Sequence, residues 1–340
     1  MNTVLLQMRR QANHTRYRPG QSAGHYESFF LRANHPSRPL AFWIRYTIFC
    51  PNHHPENAIG ELWAVCFNGE TQKHVVVKQE FPFAQCDFRT QEFSFRIGDA
   101  FLRHGQLKGI AKSASRHITW NLIFNGDAEP LFLLPLNLYN APLPKAKSLV
   151  GLPMAVFNGS LSVDGKEIEV ANWLGSQNHN WGAKHTDLYA WGQVAGFDNH
   201  PESFLEVATA RLKIGPLWTP PMTPMVLRHR GEEIILNGLM QTIRAHGSFQ
   251  YFKWRFRSET KDILIDGTIT APRESFVGLN YYNPPGGSKH CLNTKIATCG
   301  LKVIHKHNGK ASKPEILATE HRAAFEILTD DRGHGVEIRA

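Results

Sequence analysis

From His25 onward, apolar and aromatic residues come in short bursts separated by turn residues. HYESFFLRAN (25–34) and LAFWIRYTIFC (40–50) carry the β-branched and aromatic content of strands, and a turn over 51–56 ends the second run. GELWAVCFNG and KHVVVKQEF follow, with Gly69-Glu70 between them as a short hairpin connection. Over ITWNLIF the period is two: Ile118, Trp120, Leu122 and Phe124 face one way, and Thr119, Asn121 and Ile123 the other. The run from Pro130 to Pro153 is studded with prolines, which argue against a long helix and against a central strand; it is expected to cross the mouth or side of a sheet. Asp164-Gly165 then sits between GSLSV and KEIEVANW as a tight hairpin turn.

Strand signals continue through LYAWGQVAGF, SFLEVATARLKI, TPMVLRHRGEEIILNG, FQYFKWRFRS and DILIDGTITA to the C-terminus. No stretch repeats apolar residues at i, i+3, i+4 and i+7 over three turns, so little helix is expected. An all-β chain of about 16 strands is too wide for one sheet and predicts two barrels or sandwiches. A weak likeness between 109–124 and 241–258, centred on Trp120 and Trp254, also suggests two similar halves. The expected organisation is a mobile leader over 1–23, a first β domain over 24–184 and a second over 185–340.

Composition changes this picture little. A chain of 340 residues exceeds what one core usually supports, and 42% hydrophobic with 20% charged residues is ordinary for a globular protein. The formal charge of +9 comes from scattered Lys and Arg whose densest clusters are Arg9-Arg10 and Arg228-His229-Arg230, so no nucleic-acid footprint is formed. Such a basic surface suits contact with an anionic membrane or an acidic substrate. The 5 cysteines form no CxxC pair and are odd in number, which favours reduced, buried thiols. The apolar run near the N-terminus is too short for a signal peptide and no apolar run could span a bilayer, so a cytoplasmic protein without a transmembrane segment is expected.

Candidate chemistry concentrates in 172–193, NWLGSQNHNWGAKHTDLYAWGQ, where Trp173, Trp181, Trp191, Tyr189, His179 and His185 stand among side-chain amides. Large rings with one polar atom each line a pocket or fill a core. No phosphate loop, dinucleotide fingerprint, GxSxG or HExxH occurs, and the His179/His185, His305/His307 and His53/His54 pairs lack a carboxylate or cysteine at supporting spacing, so neither nucleotide nor metal is expected. Glu206, in SFLEVATA, is a raised-pKa proton donor if it points inward and an ordinary solvated carboxylate if it does not. His179 is either a proton donor held in one tautomer or a ring that bonds a loop. Trp181, Tyr189 and Trp191 either face an electron-poor ligand or are core.

NHNWGAKHTDLYAWGQ, together with ITWNLIF, LYNAPLPKAK, GTITAP and NYYNPPGGSKHCLN, resembles the AttH-like / CrtC family, the lipocalin-like hydroxyneurosporene synthase (carotenoid 1,2-hydratase) group. Tocopherol cyclases and the lipocalin-like fungal cyclases look like more distant relatives. The resemblance implies two lipocalin-like β domains, a hydrophobic small-molecule ligand, and no metal, nucleotide or other cofactor. It also implies that His179 and Trp181 match a His-x-Trp that takes part in protonating a double bond, with Glu206 as the downstream acid. Asn180, Trp181, His185, Tyr189, Trp191 and Gln193 are then the expected substrate-binding residues. The expected activity is hydration or cyclisation of an apolar unsaturated substrate, isoprenoid, carotenoid-like or polyketide. A hydrophobic-ligand carrier without chemistry, or a protein whose aromatics only fill a junction, are the alternatives.

Overall fold

The computed structural model describes residues 3–307 and 310–340. Among them helix is confined to Thr3–Arg10, Leu239–Arg244 and four 3₁₀ turns, as the absence of a helical apolar period predicts. No helix among the described residues is long and apolar enough to cross a membrane.

Among the described residues, one sheet of 12 strands takes the chain from His25 to Gly182, and a second of 11 strands takes it from Leu188 to Thr329. Both are wound alike. The first strand of each sheet, His25–Asn34 or Leu188–Ala195, lies between the strand that follows it and the long last strand, Lys166–Gly182 or Glu315–Thr329. The first sheet curls until the Lys112 amide donates to Gln79 Oε1 at 3.1 Å, joining strands Gln106–Lys112 and Val75–Pro82. The second remains a half-barrel.

Alternation sorts the strands onto three cores. Phe29, Leu31, Phe42, Ile44, Tyr46 and Trp120 fill the first barrel, and Leu205, Leu227, Trp254, Ile269 and Phe325 fill the second. The residues in between, Phe30, Trp43, Trp63, Trp191, Leu279 and Tyr281, pack the two sheets against each other. Ile118, Trp120, Leu122 and Phe124 are buried, while Asn121 and Ile123 are exposed, so the period of two over this strand is real. Val163 pairs with Lys166 across Asp164 and Gly165, whose φ of 50° and 82° are the left-handed values a two-residue hairpin turn needs.

Four expectations need correction. The leader is not loose: Ala12 and Tyr17 are 2% exposed, because backbone groups of residues 12, 16 and 17 find buried partners on the first barrel. The connection at Gly69-Glu70 is longer, from Asn68 to Val75, with Asn68 Oδ1 taking the amides of Glu70 and Thr71. The proline-rich run yields a central strand after all, Ala146–Val163, which starts beyond Pro144 and accommodates Pro153 at a β-bulge, where the missing N–H is tolerated. Trp120 and Trp254 are both fully buried, but Trp120 lies two strands from the last strand of its sheet and Trp254 three, so their likeness does not align the halves.

Candidate functional site

The strand Lys166–Gly182 separates two sets of polar residues, because neighbours along it point to opposite faces. His179 pairs with Phe29 and faces into the first barrel, stacked on Phe29 at 4.1 Å between ring centroids, with Trp181 at 4.6 Å. It is fully buried, and both ring nitrogens are bonded: Nδ1 lies 2.7 Å from the Ala12 carbonyl oxygen and Nε2 lies 2.8 Å from Glu27 Oε1. A carbonyl can only accept, so Nδ1 carries a hydrogen, and the short Nε2–Oε1 contact holds a proton shared by the pair. Burial lowers the His179 pKa, opposed by the hydrogen bond with Glu27. Glu27 collects the amides of Arg16 and Tyr17 as well as His25 Nε2. Burial alone would raise its pKa; the bonds from His179 and His25 win and hold it at about 2.

Trp181 stands beside this pair, with the Arg16 guanidinium 5.1 Å from its ring. The N-terminal segment therefore covers the His179 face, with Asn13 donating to Gln177 at 2.9 Å.

The opposite face meets the second sheet. Gln193, fully buried, accepts from Ser176 Oγ at 2.6 Å and Arg32 Nε at 2.9 Å, and its amide nitrogen donates to Asn178 Oδ1 and Glu206 Oε2, each at 2.8 Å. Trp191 Nε1 donates to Glu206 Oε1 at 2.7 Å. Glu206 points inward, with 2% of its surface exposed. Burial pushes its pKa up to about 7, against the pull of Trp191, Gln193 and Arg32. A second buried ionic group adjoins: Lys295 Nζ donates to Glu326 Oε1 at 2.7 Å and to Asn293 Oδ1 at 2.6 Å.

An aromatic wall runs from Trp191 across the junction. Phe30 lies 6.0 Å from Trp191 and 6.2 Å from Trp43, Trp63 lies 6.4 Å from Trp43, and Tyr281 lies 5.7 Å from Trp63. It ends at a hollow of about 10 Å³ lined by Tyr26, Arg45, Thr47, Glu61, His185 and Tyr281. Arg45, 4% exposed, stacks on Tyr281 at 4.4 Å, and its Nε and Thr47 Oγ1 have no protein partner. His185 stacks on Tyr26 at 3.9 Å and donates Nε2–H to the Tyr282 carbonyl; burial holds its pKa down to about 3, so the ring is neutral. A shallower depression of about 370 Å³ lies at the surface beside Glu56, Phe81 and Pro82, and neither hollow touches His179 or Glu206.

No family model matches the chain. An uncharacterized protein of Mycobacterium tuberculosis is 28% identical over 196 residues, which is 57% of this chain and 58% of that protein's length, in both strain H37Rv and strain CDC 1551. Among solved structures, an AttH-like protein of Nitrosomonas europaea superposes with a TM-score of 0.56 at 13% identity, over 94% of this chain and 95% of its own. Kievitone hydratase of Nectria haematococca does so with a TM-score of 0.55 at 13% identity, over 92% and 91%. The chain has the two-barrel, lipocalin-like fold.

Within that fold the residues singled out in the sequence fall into two groups. Trp191 and Gln193 both donate to Glu206; Tyr189 packs against the same junction core, and Asn180, half-buried, ends the junction face of its strand. His185 lines the hollow at the far end of the aromatic wall. His179 and Trp181 lie behind the sheet, in the first barrel. Sequence reasoning missed Glu27, Arg32, Arg45, Ser176 and Asn178, although the first three left a signal: each is a charge inside a run otherwise apolar enough to be buried on both faces.

Proposed function

We propose that this chain is a cofactor-independent hydratase or cyclase of the CrtC-like kind, acting by proton transfer on an apolar unsaturated substrate, isoprenoid, carotenoid-like or polyketide, at the junction of the two sheets. The observation that carries this reading is Glu206, a buried carboxyl with a pKa near 7 set between Trp191 and Gln193 against an aromatic wall. A carboxylic acid poised near neutrality is a proton donor of suitable strength, and fold-level likeness to a hydratase raises the prior without choosing a substrate. Glu206 would add its proton to the alkene, the Trp191 ring beside it would stabilise the cation by about 0.5–2 kcal/mol on the face away from Lys295 Nζ, and water would add to the cation and return a proton to Glu206. His179, with both nitrogens engaged behind the sheet, does not meet substrate in this scheme. Neither hollow reaches Glu206, and the one at the end of the aromatic wall, about 10 Å³, has room for about one water, so substrate entry requires aromatic side chains of the junction to swing aside.

The test is mass spectrometry of small molecules that co-purify with the protein, followed by turnover of the recovered molecule. Conversion by wild type and its loss in Glu206→Gln, with binding retained, is the expected result. Equal turnover by the variant removes Glu206 from the mechanism, and a molecule recovered unchanged after long incubation with wild type makes the protein a hydrophobic-ligand carrier.

A further inference from the structure

One cluster of ligating side chains lies apart from the junction site. His200 sits in the turn between strands Leu188–Ala195 and Phe204–Arg211, His229 ends strand Met225–His229, and Glu315 opens strand Glu315–Thr329. One ligating atom of each lies within 4.8 Å of the others. His229 Nε2 is 3.3 Å from Glu315 Oε2, and His200 Nε2 is 3.5 Å from Glu315 Oε1.

Hydrogen bonding fixes the tautomer of His229. The Ser203 hydroxyl donates to Glu202 Oε1 at 3.3 Å, so it accepts the Nδ1–H of His229 at 2.7 Å. His229 Nε2, in a side chain only 2% exposed, is aimed at Glu315 Oε2 3.3 Å away, a contact in which a proton or a metal ion sits between nitrogen and carboxylate. A neutral imidazole with its Nδ1–H on Ser203 turns a lone pair toward that carboxylate, and a cation between the two holds them together. The spacing suits one: tetrahedral ligands about 2.0–2.1 Å from a zinc ion stand about 3.4 Å from each other. The Nδ1 bond to Ser203 is the outer-shell contact that orients a metal-binding imidazole.

His200 and Glu315 have about one-fifth of their side chains exposed, 21% and 20%, which leaves a side open for a water ligand. Glu202 Oε1, 3.5 Å from His200 Nδ1, adds negative charge nearby. Arg230 Nη2 neutralises Glu315 Oε1 at 2.5 Å from the solvent side, and its side chain is 67% exposed.

We propose that His200, His229 and Glu315 form a site for a divalent transition-metal ion of the zinc type, which ties a turn and two strand ends of the second sheet together. Two imidazoles and one carboxylate with an open position are a donor set such ions accept. Nothing in this inference rests on the activity proposed for the junction.

Isothermal titration of tag-free, chelator-treated protein with ZnCl₂, paired with the absorbance of the Co²⁺ complex, tests it. One equivalent bound at micromolar Kd or tighter is expected, with a four- or five-coordinate Co²⁺ spectrum and a raised Tm. His200→Ala, in an accessible turn, should weaken binding at least tenfold, and His229→Gln should abolish that equivalent. Absence of zinc-dependent heat or Tm shift in wild type, or unaltered affinity in His200→Ala, overturns the proposal. A Tm that rises at low pH and ignores zinc also overturns it, since a proton would then be the cation between His229 and Glu315.

Discussion

Two buried glutamates, one on each side of the same sheet, are pushed in opposite directions, and the difference is one of donors. Glu27 receives two backbone amides and two imidazoles and stays ionised, whereas Glu206 receives only one indole and one amide side chain, and burial raises its pKa to about 7. Between the unfolded value of 4.5 and about 7 the native protein binds more protons at Glu206 than the unfolded chain does, so this residue makes stability fall as pH rises through that window. Glu27, at about 2, contributes stability that is fully present above 4.5 and lost only as pH falls towards 2, outside the same window. Denaturant titrations of wild type and Glu206→Gln at pH 5 and pH 8 are therefore expected to diverge, wild type losing on the order of 2–3 kcal/mol more than the variant between the two. Parallel profiles would mean that Glu206 titrates as an exposed glutamate does.

At the scale of elements, the N-terminal segment is held by a few polar contacts with the first barrel. Helix Thr3–Arg10 buries no residue of its own, yet Met8 and Ala12 pack with Leu149, Tyr139 and Trp181, and the Ala12 carbonyl takes the proton of His179 Nδ1. Deleting residues 1–14 removes that acceptor from a fully buried ring and opens the Trp181 side of the barrel. The expected outcome is a loss of about 1–3 kcal/mol of stability, a red shift of tryptophan emission and faster hydrogen exchange along strand Lys166–Gly182. Unchanged emission and exchange would show that the segment only rests on the surface. The docking was not legible in the sequence, because 1–23 has no periodicity and its partners, Glu27, Gln177 and His179, lie in later strands. What was legible is local: the alternation over 118–124, the Asp164-Gly165 turn and the scarcity of helix each depend on neighbours in the chain. The strand at Pro153 is not legible in the sequence, because the bulge that makes room for the ring leaves no local signal. The aromatic run 172–193 reads as one cluster in the sequence, but a strand's period of two divides it between the barrel interior and the junction, so His179 and Glu206 are separated by a sheet.

For the whole molecule, the junction decides whether the halves are independent. We propose the division at residue 184, between the last strand of the first sheet and the first strand of the second, as the boundary between two structural units that do not fold apart. Separation would expose Phe30, Trp43, Trp63 and Phe67 on one side and Trp191, Leu279, Tyr281 and Leu328 on the other, contiguous apolar side chains of the kind that drive association. It would also strip buried charges and amides of their partners: Arg32 bonds Gln193 across the junction, and Asn34 donates to the carbonyls of Lys295 and His321. An unpaired buried guanidinium costs several kcal/mol, so each half alone must either solvate these groups by loosening its strands or bind another copy of itself. Fragments 1–184 and 185–340 expressed singly are thus expected to aggregate or to lack a cooperative melt, and to form a one-to-one complex when expressed together, read by size-exclusion chromatography and thermal unfolding. A monomeric fragment with its own sharp transition would show that each barrel core suffices, and that the polar junction, Glu206 included, is a contact laid over two finished domains.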